Sequence, residues 1–243
     1  MTPPSAPLTN KTAIVTGASS GIGRATALAL ARNGADLIVT ARREDRLRAL
    51  VDEIETIGVR AAHHVGDATE DDTARQTIAL AIAEFGQLDI LINNAGAGNY
   101  KNLIETSVED YDDLMDTNMK SSFLFSRHAA PLMIEQRSGT ILFISSIAGL
   151  QGTAGESVYC AAKFAQVGFA QSLDAELRKH NIKVGALCPG GTKTEFAKGR
   201  GRTEEWIRDS HMMQPAEVAE AIVFACLQPP NVRIPHMTIR HMG

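Results

Sequence analysis

The sequence predicts an α/β fold: one doubly wound domain, a seven-stranded parallel sheet with helices on both faces. Three observations predict it. Short, continuous apolar runs alternate with helical stretches of ten or more residues, which is how strands buried on both faces read. Glycines close the first two helical stretches, at Gly34 and Gly58, where a left-handed residue ends a helix. No linker-like, low-complexity or periodically repeated segment divides the 243 residues, so a single domain over 1–243 is expected.

The elements follow in order. The opening MTPPSAP lacks the charged start and apolar block of a signal peptide, and residues 1–8 are expected to form a flexible tail. Residues 12–16 (TAIVT) make the first strand, and an Ala- and Leu-rich helix runs to about Asn33. Leu37–Thr40 is the second strand, and a charged helix spans Arg43 to Ile57. A strand near 59–65, a helix near 70–85 and the strand Leu88–Ile92 repeat the pattern. A long helical region over about 107–136 precedes the strand Thr140–Ser145. A helix over about 156–180 leads into the strand Lys183–Leu187, and a Pro/Gly break follows. A helix near 215–227 and a short strand near 237–240 close the chain.

Composition narrows the function classes. The 24 basic and 28 acidic residues give a formal charge of -4, which argues against a general basic field that would hold nucleic acid. Cys160, Cys188 and Cys226 lack CxxC pairing or metal spacing, so a disulfide scaffold is not expected. No apolar run approaches the roughly 18 residues that cross a bilayer. The expectation is a cytoplasmic protein without membrane or nucleic-acid partners.

The first strand runs straight into Thr16-Gly17-Ala18-Ser19-Ser20-Gly21-Ile22-Gly23, and a helix begins at once. Glycines there permit a tight turn and let a pyrophosphate approach the free amides of the helix start. The spacing is G-x-x-x-G-x-G, and its position after the first strand points to a dinucleotide rather than to a plain turn. The second strand ends at Ala41, followed by Arg42 and Arg43. An acidic residue at this place would bind a ribose hydroxyl and favour NAD, whereas a 2′-phosphate needs a cation. Arginine's planar donor fork suits phosphate, so NADP is expected over NAD.

TGASSGIG resembles the cofactor motif of the short-chain dehydrogenase/reductase family, in its compact single-domain branch. Asn93-Asn94-Ala95-Gly96 after the fourth strand and Tyr159-x-x-x-Lys163 on a later helix match two further motifs of that family. The resemblance runs from residue 12 to at least 194 and implies the Rossmann version of the doubly wound fold. It implies cofactor contacts from Gly17, Ser19, Ser20, Gly21, Ile22 and Gly23, and from Arg42 with Arg43 beside it. Asp67, with Ala68, is similar to the family's adenine-binding aspartate, though a helix cap explains it equally well. Asn94, Ala95 and Gly96 would line the adenine ribose. Pro189-Gly190-Gly191-Thr192-Lys193-Thr194 resembles the family's loop at the nicotinamide, with Thr194 within reach of the pyrophosphate. Thr192 stands where many members carry Val or Ile.

Tyr159 and Lys163, four apart, share one helix face. A free phenol, with a pKa of about 10, is too weak a base at neutral pH, and a nearby ammonium lowers that value. Tyr159 would then exchange a proton with the substrate oxygen. The resemblance implies that Ser146, thirteen residues before Tyr159, hydrogen-bonds that oxygen, with Ser145 as the neighbour a looser alignment selects. It also implies that Asn118 holds a water linking Lys163 to solvent. Asparagine is a poor helix former, so a local kink is the bland alternative.

Other signals are weaker. The acidic run Glu105, Glu109, Asp110, Asp112, Asp113 and Asp116 reads as a solvated helix start. His63-His64 and His236/His241 lack a third ligand at metal spacing, and Cys160 reads as a small buried residue. Residues 194–213 are expected to form a lid over the substrate, its arginines facing solvent as exposed charges do by default. The expected activity is hydride transfer between NADP(H) and a carbonyl or secondary alcohol. A catalytically silent dinucleotide sensor or scaffold is the alternative, disfavoured by the intact Asn118, Ser146, Tyr159 and Lys163. An epimerase or dehydratase of the extended relatives would need a larger substrate domain. The resemblance implies as partners a small-molecule substrate and further copies of the chain, as a homo-tetramer or homo-dimer.

Overall fold

A computed structural model describes residues 6–242. Seven parallel strands form one sheet: β1 (Thr12–Thr16), β2 (Asp36–Ala41), β3 (Ala61–Val65), β4 (Ile90–Asn93), β5 (Gly139–Ile144), β6 (Ile182–Pro189) and β7 (His236–Ile239). Their order is β3-β2-β1-β4-β5-β6-β7. The chain therefore reverses its direction of growth at β1, which pairs with both β2 and β4. In such sheets the crevice at the carboxyl ends of the strands beside the reversal is where ligands bind.

Alternation along the central strands builds two cores. Ala13 and Val15 face α1 (Gly21–Arg32), α2 (Glu44–Ile57) and α8 (Pro215–Cys226). Ile14 faces the other layer, made of α3 (Asp71–Phe85), α5 (Ser121–Gln136) and α6 (Ser157–Leu177). Successive strand side chains point to opposite faces, so a strand covered on both sides shows no exposed position, and β1 is buried throughout, its two threonines included.

Three details depart from the sequence expectations. Leu8, assigned to the flexible tail, is buried in the first core, and its N–H donates to the Asn33 carbonyl; residues 1–5 lie outside the described part of the chain. The long region after β4 divides into α4 (Val108–Met115) and α5, joined by a π turn at Asp116–Lys120. The segment after β6 contains a short helix, α7 (Glu204–Asp209), where the sequence predicts only an irregular lid.

Candidate active site

The phosphate-loop geometry comes from backbone that tolerates no side chain. Gly17 has φ +64°, and a Cβ on Gly23 would lie 2.5 Å from the Gly17 carbonyl oxygen and 2.4 Å from the Asn94 amide nitrogen. Asn94 is the staple: its Nδ2 donates to the Thr16 carbonyl at 2.8 Å, while the Thr16 hydroxyl accepts from the N–H groups of Asn94 and Ala95. The amide nitrogen of Asn94 thus binds protein rather than facing a ligand. The first turn of α1 is left uncompensated. Ser20 makes no side-chain cap and no acidic residue lies there, whereas α2 and α3 each begin with two acids. An uncapped helix start is where an anion is stabilised, so the residues present fit a pyrophosphate. Thr194 closes this turn from the far side, since a Cβ on Gly21 would lie 3.0 Å from its methyl group.

The two arginines after β2 divide. Arg43 donates to the Ser19 hydroxyl at 3.1 and 2.9 Å, to the Ser20 hydroxyl at 2.8 Å and to Glu195 at 2.9 Å. Arg42 is largely exposed and stands 3.7 Å from Asp67. Asp67 also accepts from the Thr69 N–H and hydroxyl, the local cap its sequence context suggests; Ala68 packs against the second core. Arg43 with two serines is a donor set matched to a phosphate monoester, and the carboxylate of Glu195 now occupies it together with Arg46. The Glu195 carboxyl is held below its ordinary pKa, first by its hydrogen bonds to Arg46 and then by those to Arg43. A cleft of about 820 Å³ opens beside this cluster, lined by Ser19, Ser20, Gly21, Thr194 and Glu195 but not by Tyr159.

The second cluster forms where β5 ends and α6 begins. Ser145 and Ser146 have separate tasks. The Ser145 hydroxyl donates to the Lys163 carbonyl at 3.0 Å, fastening α6 to the strand. The Ser146 hydroxyl accepts from the Ala148 N–H at 3.1 Å and faces the Tyr159 phenol. Tyr159 is 6% exposed, under the rings of Tyr100 and Phe196 at 6.4 and 5.5 Å between centroids. Burial pushes the phenol well above the ordinary tyrosine value, and the nearby Ser146 hydroxyl pulls it partly back. Burial lowers Lys163 from 10.5 to about 7. Its ammonium donates to the Ile144 carbonyl at 3.0 Å and to Gln166 Oε1 at 2.8 Å, and lies 5.8 Å from the Tyr159 ring centre. The expected depression of the phenol by this ammonium is therefore not found: burial sets the phenol, because the lysine's donors point to Ile144 and Gln166.

Asn118 sits in the π turn. Its Nδ2 donates to the carbonyls of Ala97 and Leu114 at 2.9 and 2.8 Å, and its own backbone carbonyl accepts from Ser122 and from Gln166 Nε2. Its Oδ1 is buried without a partner, facing Gly96, whose Cβ would meet it at 2.8 Å. The loop after β6 is tied down by Gly190 N–H to the Ile239 carbonyl and by the Thr192 hydroxyl to the Gly190 carbonyl. Thr192 is buried with its hydroxyl satisfied by that bond. Pro189 ends β6 itself.

A family model described as short chain dehydrogenase matches residues 11–205. The chain belongs to the short chain dehydrogenase family. An uncharacterized oxidoreductase of Staphylococcus aureus is 33% identical over 233 residues, covering 96% of this chain and 98% of that protein. A metagenomic short-chain oxidoreductase, solved in complex with NADP, superposes with a TM-score of 0.84 at 31% identity, covering 97% of this chain and 99% of that one. A short chain dehydrogenase from Mycobacterium paratuberculosis, solved bound to NAD, superposes with a TM-score of 0.86 at 27% identity, covering 96% and 97%.

Within this short chain dehydrogenase, three features escape sequence reading. Gln166, fully buried, joins Lys163 to the Asn118 carbonyl and the Ser122 hydroxyl; its position three residues after Lys163 on one helix is the available signal. Glu195 reaches Arg43 and Arg46 across about 150 residues of chain, which no local pattern reveals. The lid arginines are expected in solvent, and Arg200 and Arg208 are exposed there, paired with Asp113 at 2.6 Å and with neighbouring Asp209; Arg202 departs, half-buried against aromatic rings. Among the histidines set aside, His64 is bonded to Gln76 and Thr77. Cys188 is buried at the end of β6, and burial raises its thiol's pKa.

Proposed function

We propose that the chain is an NADP(H)-dependent oxidoreductase that interconverts a carbonyl and a secondary alcohol. The observation that carries this reading is one cluster: a buried phenol beside the Ser146 hydroxyl, with Lys163 one helical turn on and Asn118 behind it. When bound, the nicotinamide cofactor supplies or accepts the hydride. Ser146 would orient the substrate oxygen by its hydroxyl. Tyr159 would donate its proton to that oxygen during reduction and recover it during oxidation. The phenol is protonated at neutral pH, as the reductive direction requires. Lys163 would meet the ribose side of the cofactor, and Tyr100 and Phe196 would exclude water from the reacting atoms.

Gly17, Ser19, Ser20, Gly21, Ile22, Gly23 and Thr194 would hold the pyrophosphate. Asp67, Ala68, Ala95 and Gly96 would take the adenosine side, and Pro189, Gly190 and Thr192 the carboxamide side. The bonds from Arg43 to Ser19 and Ser20 support NADP over NAD, with Arg42 at the rim. The metagenomic neighbour's complex with NADP agrees with that preference, and the mycobacterial complex with NAD marks the competing choice. Exposed Phe123 on α5 and Phe164 on α6 fit assembly of copies through those helices. A carbonyl panel followed by NADPH absorbance, with Tyr159→Phe as control, tests the reading. Turnover confined to the wild type is expected, and turnover that survives in the variant defeats the assignment of the proton.

A further inference from the structure

Arg202 is placed unlike any other cation of the lid. Its guanidinium carbon lies 5.1 Å from the Tyr100 ring centre, 5.7 Å from Phe196 and 5.3 Å from Trp206. Its Nε is buried with no hydrogen-bond partner, and among the described residues it makes no ion pair, whereas Arg200 and Arg208 both do. The backbone fixes it: the Arg202 N–H donates to the Ala197 carbonyl, and its own carbonyl accepts from Gly199. The loop beneath is fastened as well, by Tyr100 N–H to the Arg200 carbonyl, with Gly201 pressed on the Tyr100 ring.

Tyr100 and Phe196 each touch both Tyr159 and Arg202. One aromatic ring therefore separates the guanidinium from the phenol. A half-buried arginine stacked on rings keeps its charge but loses hydration, so a carboxylate reaching it would gain a charge-assisted, bidentate bond. On the outer side Arg202 lines a cleft with Glu195, Glu204 and Glu205, which are paired with or beside Arg46 and Lys198; the carboxyl on the inner side is Glu156, just before α6. It forms no ion pair with Arg202 among the described residues, and its pKa is raised by burial more than the arginine lowers it.

We infer that Arg202 recognises the anionic end of the substrate, which is thus an oxo acid, or the matching hydroxy acid, whose carboxylate lies a few carbons from the reacting carbonyl. This assignment rests on the carbonyl-reductase reading above for the reaction and on Arg202 alone for the anion. Trp206 is the chain's single tryptophan and lies on the same guanidinium, so its fluorescence reports occupancy without turnover.

The experiment titrates the enzyme, with saturating NADP+ or NAD+, with 4-oxopentanoate, 5-oxohexanoate and 6-oxoheptanoate and with their methyl esters. Trp206 emission should change saturably with at least one oxo acid and at least tenfold more weakly with its ester. Arg202→Gln should remove that preference, Arg202→Lys should retain part of it, and Glu156→Gln should leave it intact or strengthen it. In turnover, the acid-to-ester ratio of kcat/KM should exceed ten in the wild type and fall towards one in Arg202→Gln. Equal responses to acid and ester overturn the inference. So does an Arg202→Gln loss shared equally by both, because the arginine is then a strut for the rings. Tyr159→Phe separates the two readings. Acid-selective fluorescence without turnover of any ketone by the wild type leaves Arg202 standing and removes the redox reading.

Discussion

The substitution Lys163→Met tests how burial governs the site. The lysine is 3% exposed, and its pKa falls from 10.5 to about 7. Between those two values the unfolded chain binds more protons than the folded one, so wild-type stability rises with pH across that window. Holding the lysine at its lowered pKa costs about 5 kcal/mol at pH 6.5, chiefly as buried charge, and about 2 kcal/mol at pH 9, as loss of its proton on folding. A methionine side chain would carry no such cost, but it leaves the Ile144 carbonyl and Gln166 Oε1 without their donor, at about 1–3 kcal/mol each. The variant should therefore match or exceed the wild type in stability at pH 6.5 and fall below it at pH 9. The difference between the two proteins should shift by roughly 2–3 kcal/mol over that range. Urea unfolding of both proteins at the two pH values, followed by circular dichroism, measures this directly. Parallel stability profiles would refute the reasoning, because Lys163 would then titrate alike in the folded and unfolded chains.

Three further outcomes are expected. Arg43→Gln should raise the KM for NADPH about 10- to 100-fold, roughly 1.4–2.8 kcal/mol, with little change for NADH, while Arg42→Gln changes either cofactor far less; steady-state kinetics with both cofactors decide it. Gly23→Ala drives a methyl into the Gly17 carbonyl and the Asn94 amide; thermal unfolding should show a loss of about 1–3 kcal/mol from overpacking, and calorimetry should show cofactor binding lost. Gln166→Leu leaves one Lys163 donor without its acceptor and the Asn118 carbonyl with Ser122 as its remaining donor, so stability should fall by about 1–3 kcal/mol and kcat by more than KM changes; a KM-only effect would place Gln166 outside the proton-handling cluster.

The sheet was legible because buried parallel strands announce themselves as apolar runs, and Gly34 and Gly58 mark the helix ends. Tyr159, Lys163 and the glycines were legible because chemistry and tight turns fix residue type at short spacing. What stayed hidden depends on partners distant in sequence. Nothing local says that Arg43 turns to the serines while Arg42 turns to Asp67, since adjacent residues on an extended backbone point opposite ways. Leu8 looked like tail because burial of one apolar residue leaves no periodicity. Arg202 looked solvated because its rings come from Tyr100, Phe196 and Trp206, two segments about a hundred residues apart.

The π turn at Asp116–Lys120 has a consequence for how this chain tolerates change in length. Ser121 N–H reaches back five residues to the Asp116 carbonyl, so the turn holds one residue more than an α-helix of the same rise would. Deleting any one residue there would let α4 and α5 fuse into an unbroken helix, a gain for local regularity. The extra residue is taken up in the bulge itself, so the flanking helices would keep their phase and the loss would fall on the bulge. Asn118 would no longer be aimed at Ala97, and Gln166 would lose the carbonyl it now holds. The irregularity thus works as an aiming device for one side chain, and a shorter chain would fold more smoothly without it.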